Sequence, residues 1–152
     1  MITYQEESAQ DCLEEIKGLI ILHWEEIALY KDKIRLDPDF DKYLLLDTMG
    51  MLHILTARDD GILIGYFISF IQPNMHYKDK MFATNDILFI EKSYRKGTVG
   101  YKLFKHAEKS LKELGVDVIV IRSKVKTDFK PLMDKLGYER IEYVYSKYTG
   151  ES

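Results

Sequence analysis

The stretch Asp86-Ile87-Leu88-Phe89-Ile90-Glu91-Lys92-Ser93-Tyr94-Arg95-Lys96-Gly97-Thr98-Val99-Gly100-Tyr101-Lys102-Leu103-Phe104 decides the reading of this chain. An apolar run with the look of a strand leads into a short basic turn with two glycines. An amphipathic helix then begins near Thr98. The first N–H groups of a helix lack backbone partners, and its aligned peptide dipoles make that end partly positive. Glycines at the turn let an anion approach the backbone closely. Arg95, Lys96 and Lys102 add formal positive charge to the same spot. The combination suits a diphosphate attached to something lying along the strand. An ordinary helix start with no ligand is the plainer alternative.

Two nucleotide signatures are missing. The Walker pattern needs Gly-Lys-Ser/Thr after a four-residue spacer, which this stretch lacks. The dinucleotide fingerprint needs three glycines at fixed spacing and a later acidic residue, and only Gly97 and Gly100 occur here. What the stretch resembles is motif A of the GNAT superfamily, the acyl-CoA-dependent N-acyltransferases. That motif runs Gln/Arg-x-x-Gly-x-Gly/Ala after an apolar strand. Arg95 takes the Gln/Arg place and Gly100 the last place. Thr98 replaces the middle glycine, with Gly97 one residue earlier; the Thr98 hydroxyl is a candidate helix cap. Downstream, Leu132-Met133-Asp134-Lys135-Leu136-Gly137-Tyr138 resembles the family's Phe-Tyr-Glu-Lys-Leu-Gly-Phe segment. The two-helix start and the turn also resemble small GNAT proteins carried by phages and mobile elements.

The composition fits a soluble globular chain. Its 152 residues suffice for one domain, residues 1–152, with 46% hydrophobic and 31% charged residues. A net charge of −3 gives no global field for nucleic acid. The single Cys12 excludes an intrachain disulfide and suits a reducing compartment. No apolar run approaches the ~20 residues of a membrane span, and the first residues do not read as a secretory signal. A cytoplasmic location, where acetyl-CoA is at hand, is the expectation. His23, His53 and His76 lack metal-ligand spacing, so no metal is expected.

Hydrophobic periodicity predicts a short strand at Ile2–Tyr4 and a helix capped by Ser8 that runs to about Tyr30. A second helix is predicted from Asp37-Pro38 to Gly50 with Pro at its first position. Strands follow at Met51–Arg58 and Ile62–Ile71 around an Asp59-Asp60-Gly61 turn, then at Phe82–Ile90. A helix over Thr98–Leu114 buries Val99, Leu103, Ala107, Leu111 and Leu114. Val116–Ile121 reads as a strand buried on both faces. A short helix opens at Thr127 or Asp128 and ends at Gly137, and Tyr138–Tyr148 forms the last strand or hairpin arm. The fold class is α+β, arranged as an α/β three-layer domain with a mixed, mostly antiparallel sheet. The resemblance implies that the strands before the turn and after the helix splay apart. Pantetheine would then lie in the gap, paired with the backbone of Leu88, Phe89 and Ile90.

The resemblance also implies direct transfer of an acetyl group from acetyl-CoA to a primary amine. Such a site must take a proton from the amine and stabilise the oxyanion. Asp86, on the strand two residues before Leu88, is the first candidate for the base; a solvated strand-end acid is the alternative. Glu91 is a weaker one. A backbone N–H at or near Ile90 is the oxyanion donor. Arg95, Lys96, Gly97, Thr98, Val99, Gly100 and Lys102 would hold the diphosphate, with Phe129 against pantetheine. Lys124 and Lys126 are candidates for the adenosine phosphate or plain loop charges.

The family's thiolate-protonating Tyr maps onto Met133, whose thioether donates no proton. Tyr143 and Tyr145 are the substitutes in reach by sequence, with Tyr138 nearby. The acceptor is open: small molecule, peptide or protein lysine, or aminoacyl-tRNA. His23, Trp24, Glu25 and Glu26, and the Pro73–Tyr77 loop, would shape its cleft, and Asp37, Asp39, Asp41 and Asp47 form an acidic stretch. A homodimer is left open as a further partner. The competing functions are a module that binds CoA without transfer and a nucleotide-binding regulator.

Overall fold

The computed structural model describes residues 1–151, apart from the side chain of Thr127. Strand β1 (Ile2–Glu6) leads to helix α1 (Ala9–Ile27) and helix α2 (Phe40–Thr48). Strands β2 (Leu52–Asp59), β3 (Ile62–Pro73) and β4 (Met81–Ile90) follow. Helix α3 (Val99–Glu113), strand β5 (Val118–Val120) and helix α4 (Lys130–Leu136) complete the regular elements. The sheet runs β1-β2-β3-β4-β5, with antiparallel neighbours up to β4 and a parallel pairing of β4 with β5. The parallel pair is the one joined through a helix, as chain geometry requires.

Two cores sandwich the sheet and make three layers. On one face Ala9, Cys12, Leu13 and Ile16 of α1 and Phe40, Tyr43 and Leu46 of α2 pack on Leu52, Ile54, Tyr66, Ile68, Ile87 and Phe89. On the other, Val99, Leu103, Phe104 and Ala107 of α3, with Leu132, Met133 and Leu136 of α4, cover Leu55, Ala57, Ile64, Phe67, Leu88 and Ile90. The period-2 alternation of β2 and β3 splits their side chains between these cores. The Arg58 guanidinium ties the N-terminal elements together. It donates to Glu7 at 2.8 and 2.9 Å, to Glu15 at 2.7 and 2.8 Å and to the Gly61 carbonyl at 2.9 Å. Burial pushes the Cys12 thiol up to about 12, so it behaves as a core residue and not as a nucleophile.

Most predicted elements are present, with shifted ends. Ser8 caps α1 by accepting from the Asp11 N–H. The Asp60-Gly61 hairpin turn has φ of 48° and 87°, the left-handed pair a two-residue turn of this hand demands. Helix α2 starts later than Pro38, because Asp39 accepts from the Lys42 N–H and so becomes the cap.

Four expectations fail. Thr98 precedes α3 but makes no side-chain cap bond. Leu114 lies past the last turn of α3 and is 53% exposed. β5 is short and only half covered, since it is the edge of the sheet with β4 as its one strand neighbour. Tyr138–Tyr148 forms no strand. Its β-like residues, Ile141, Tyr143, Val144 and Tyr145, are exposed and enter no ladder, and propensity without a paired edge does not make a strand.

Candidate active site

The site is built where β4 changes its partners. Along its β3 edge β4 is paired from Met81 to Ile90. Along its β5 edge pairing runs only from Phe82 to Thr84. Beyond that point the Asn85 side chain takes over: its amide donates to the Arg122 carbonyl at 3.0 Å and accepts from the Arg122 N–H at 2.7 Å. Among the described residues no strand flanks that side of β4 from Asp86 onward, which is the splay the family resemblance implied.

Which backbone groups face the gap follows from ladder alternation. The Glu91 N–H donates to the Ile64 carbonyl on β3 at 2.8 Å. A Cβ added to Gly65 of β3 would lie 2.9 Å from the Phe89 carbonyl oxygen. Residues 89 and 91 therefore turn their polar groups to β3, while Leu88 and Ile90 turn theirs to the gap. The expectation for Leu88, Phe89 and Ile90 thus divides. The Leu88 and Ile90 backbones face the gap, whereas the Phe89 backbone is committed to β3 and its ring to the α1-side core.

A bulge places Asp86. In the β3–β4 register Ile68 faces Ile87 and Ser69 faces Asn85, so Asp86 is the extra residue. Asp86 and Ile87, though consecutive, both reach the α1–α2 face. There the Tyr43 hydroxyl of α2 donates to Asp86 Oδ2. Burial raises the Asp86 carboxyl above its usual range, and the Tyr43 bond partly opposes this. Burial and the neighbouring Asp86 push the Tyr43 phenol up, so it stays protonated. Behind this pair, Tyr66 Oη and His23 Nδ1 are 3.3 Å apart. Burial lowers His23 to about 4, so it is a neutral core side chain. Tyr43 and Tyr66 were not foreseen as parts of this site, and His23, expected to shape the acceptor cleft, is instead a buried partner of Tyr66. The bulge that gathers them leaves no mark in the hydrophobic pattern.

The turn after β4 is a 3-10 turn over Lys92–Tyr94, held to the β2–β3 hairpin by Tyr94, which donates to Asp59 at 2.8 Å. Gly97 then takes φ 113°, a conformation that favours glycine. Val99 begins α3, whose leading N–H groups open at this point. A Cβ on Gly100 would come within 3.3 Å of the Ile90 Cδ1 and 3.7 Å of the Leu132 Cδ2, so its lack of a side chain keeps the end of β4 clear. Lys96, Thr98 and Lys102 are exposed beside the turn.

Arg95 is placed differently from expectation. Its side chain turns back onto the strand: Nε donates to the Ile90 carbonyl at 2.6 Å, and the guanidinium pairs with Glu26 of α1 at 2.8 Å over the Phe89 ring. It thus covers one of the gap-facing groups just described. Phe129 sits half-buried at the start of α4. Lys124 and Lys126 are exposed in the segment after β5. Met133 packs into the α3-side core. Tyr143 and Tyr145 are 74% and 88% exposed, and among the described residues neither hydrogen-bonds to Asp86. An open hollow of about 610 Å³, lined by Glu108, Val116, Ile119 and Tyr138, lies at the opposite end of α3 from the turn.

Comparison with known proteins agrees with this layout. The model of the acetyltransferase (GNAT) family matches residues 18–138. No curated protein matches the chain in sequence. Among solved structures, an aminoglycoside acetyltransferase from an uncultured soil metagenomic sample, in complex with sisomicin, is 16% identical. It superposes with a TM-score of 0.74 over 99% of this chain and 97% of its own. A ribosomal-protein-alanine N-acetyltransferase from Brucella melitensis is 18% identical, with a TM-score of 0.73 over 99% of this chain and 100% of its own. A predicted acetyltransferase with acetyl-CoA from Clostridium acetobutylicum is 14% identical, with a TM-score of 0.70 over 97% of this chain and 96% of its own. Among the described residues no helix is long and apolar enough to cross a membrane.

Proposed function

The chain belongs to the GNAT acetyltransferase family, and we propose that it moves an acetyl group from acetyl-CoA to a primary amine by direct attack, with Asp86 as the base. The observation that carries this reading is the open edge of β4, flanked by Asp86 at one end and the Gly97–Gly100 turn at the other. Acetyl-CoA supplies an activated thioester carbonyl. The residues present fit it: the α3 N-terminus, Lys96 and Lys102 offer donors and positive charge to a diphosphate. The gap-facing groups of Leu88 and Ile90 offer a pairing edge to pantetheine.

Asp86 takes the proton from the attacking amine, directly or through water. Its partial desolvation makes the carboxylate a stronger base than one in water, which brings it closer to the amine. A gap-facing backbone N–H at or near Ile90 stabilises the negative charge growing on the thioester carbonyl oxygen. Met133 cannot protonate the leaving thiolate. Tyr143 and Tyr145, exposed as they are, receive no role here. A thiol leaves readily enough for transfer to proceed without an acid.

The acceptor is not set by the fold. One neighbour's name points to an aminoglycoside and another's to a ribosomal-protein alanine, so both chemistries belong in the test. Thiol release from acetyl-CoA is measured against aminoglycosides, peptide N-termini, lysine peptides and aminoacyl-tRNA. Turnover with at least one amine is expected, and Asp86→Asn should lower it about a hundredfold. A full-rate Asp86→Asn variant removes Asp86 from the mechanism. Met133 in place of a Tyr favours one second reading, a module that binds CoA without transferring the acetyl group. Micromolar CoA binding with no turnover across the panel would select it.

A further inference from the structure

We infer that Tyr43 is a positioning residue for the reaction: its hydroxyl holds Asp86 Oδ2 from the α2 side and leaves Oδ1 directed to the acceptor amine. This rests on the reading of Asp86 as the base.

The geometry is specific to three elements. The β4 bulge turns Asp86 out of the strand alternation and toward α2. Helix α2 presents Tyr43 there because its ring is wedged between Phe40 and Phe70, at centroid distances of 6.5 and 6.4 Å. The hydroxyl donates to Oδ2, and among the described residues no hydrogen bond reaches Oδ1. A half-buried carboxylate with one fixed oxygen has one orientation left for its free lone pairs. Without the bond, the side chain is free to rotate in a half-buried site, and its charged form loses its one donor.

The groups around the pair are few. Tyr43 faces Asp86 from α2 and Tyr66 lies near it from β3. His23 of α1 stands behind Tyr66, with Glu26, Arg95 and Lys124 around it. Tyr66 and His23 are both held in their neutral forms by burial. Among the described residues Tyr43 is therefore the one donor to the carboxylate, and the Asp86 titration reads its presence.

The test compares the wild type, Tyr43→Phe and Asp86→Asn. Phe keeps the ring packing and removes only the hydroxyl. Infrared titration of the free protein, with Asp86→Asn as the blank, follows the protonated carboxyl band of Asp86. In Tyr43→Phe its midpoint should rise by about one pH unit, the size of a lost hydrogen bond to a charged group. The acid limb of kcat for thiol release, with the primary amine that turns over best, should rise by the same amount. The KM for acetyl-CoA should stay unchanged.

An unmoved midpoint and acid limb in Tyr43→Phe, with Asp86→Asn still slow, overturn the role of Tyr43 and leave Asp86 standing. A full-rate Asp86→Asn overturns the underlying reading instead. A fall in kcat with no movement of the pH profile would make Tyr43 merely structural and also overturn the inference.

Discussion

The two edges of β4 carry the same backbone chemistry and meet opposite fates. Toward β3 the strand is paired along its whole length, interrupted only by the bulge at Asp86. Toward β5 it is paired for three residues, and Asn85 then supplies a last side-chain link to Arg122 before the strands part. An unpaired sheet edge exposes donors and acceptors that need a partner. Here the exposed stretch ends at a helix N-terminus, which supports the proposed reading of an extended ligand with an anionic end. One edge holds the strand still, and on the proposed reading the other receives the ligand.

The open edge breaks most severely at Gly100, where a side chain would fill the space between α3, Ile90 and Leu132. On the proposed reading, Gly100→Leu should weaken CoA binding by roughly a hundredfold, the equivalent of about 3 kcal/mol of overpacking and lost approach. Its secondary structure by circular dichroism should stay unchanged. Titration calorimetry with CoA checks this, and an unaltered affinity would show that the ligand does not pass Gly100.

The closed edge has its own weak point. A Cβ on Gly65 would meet the Phe89 carbonyl oxygen at 2.9 Å, and that atom belongs to backbone that cannot swing aside. Gly65→Ala should cost about 2 kcal/mol in urea unfolding. It should slow turnover as well, because displacing Phe89 moves Ile90. Wild-type stability in the variant would mean that the two strands are not held this close.

This contrast explains what the sequence disclosed. The turn, the Gly97–Gly100 pair and the amphipathic α3 were legible because local chemistry dictates them: a left-handed φ at Gly97, and a buried stripe at Val99, Leu103, Ala107 and Leu111. Asp86 was nominated as the base from the family resemblance and its place on the strand. Its donor Tyr43 was not, because the two lie 43 residues apart and meet only through a bulge. The reversal of Arg95 onto Ile90 depends likewise on Glu26 of α1, a contact across 69 residues. The last strand failed for a related reason: Tyr138–Tyr148 has strand propensity, but pairing is a property of two segments.

Asn85 marks the boundary between the two regimes. Asn85→Ala removes both bonds to Arg122, and the cost should be small, about 1 kcal/mol, since each group is exposed and regains water. The effect should be local. Amide exchange at Arg122 should quicken about fivefold while the β3-facing amide of Glu91 keeps its protection. Equal loosening of both edges would show that the splay is not pinned at this residue.

The smallest effect sharpens the comparison most. In the free protein Arg95 occupies the open edge, donating to the Ile90 carbonyl and pairing with Glu26. If pantetheine pairs with β4, this contact must be exchanged before it can. The ion pair is about one-third exposed on both sides, so it contributes less than about 1 kcal/mol. Glu26→Gln should therefore tighten CoA binding by a few-fold at most, by releasing Arg95 toward the diphosphate. Calorimetry at low and high salt separates the outcomes: the gain should shrink as salt screens the Arg95–Glu26 pair in the wild type. Weaker binding in Glu26→Gln would mean that the pair assembles the site, with Glu26 holding Arg95 where the ligand needs it.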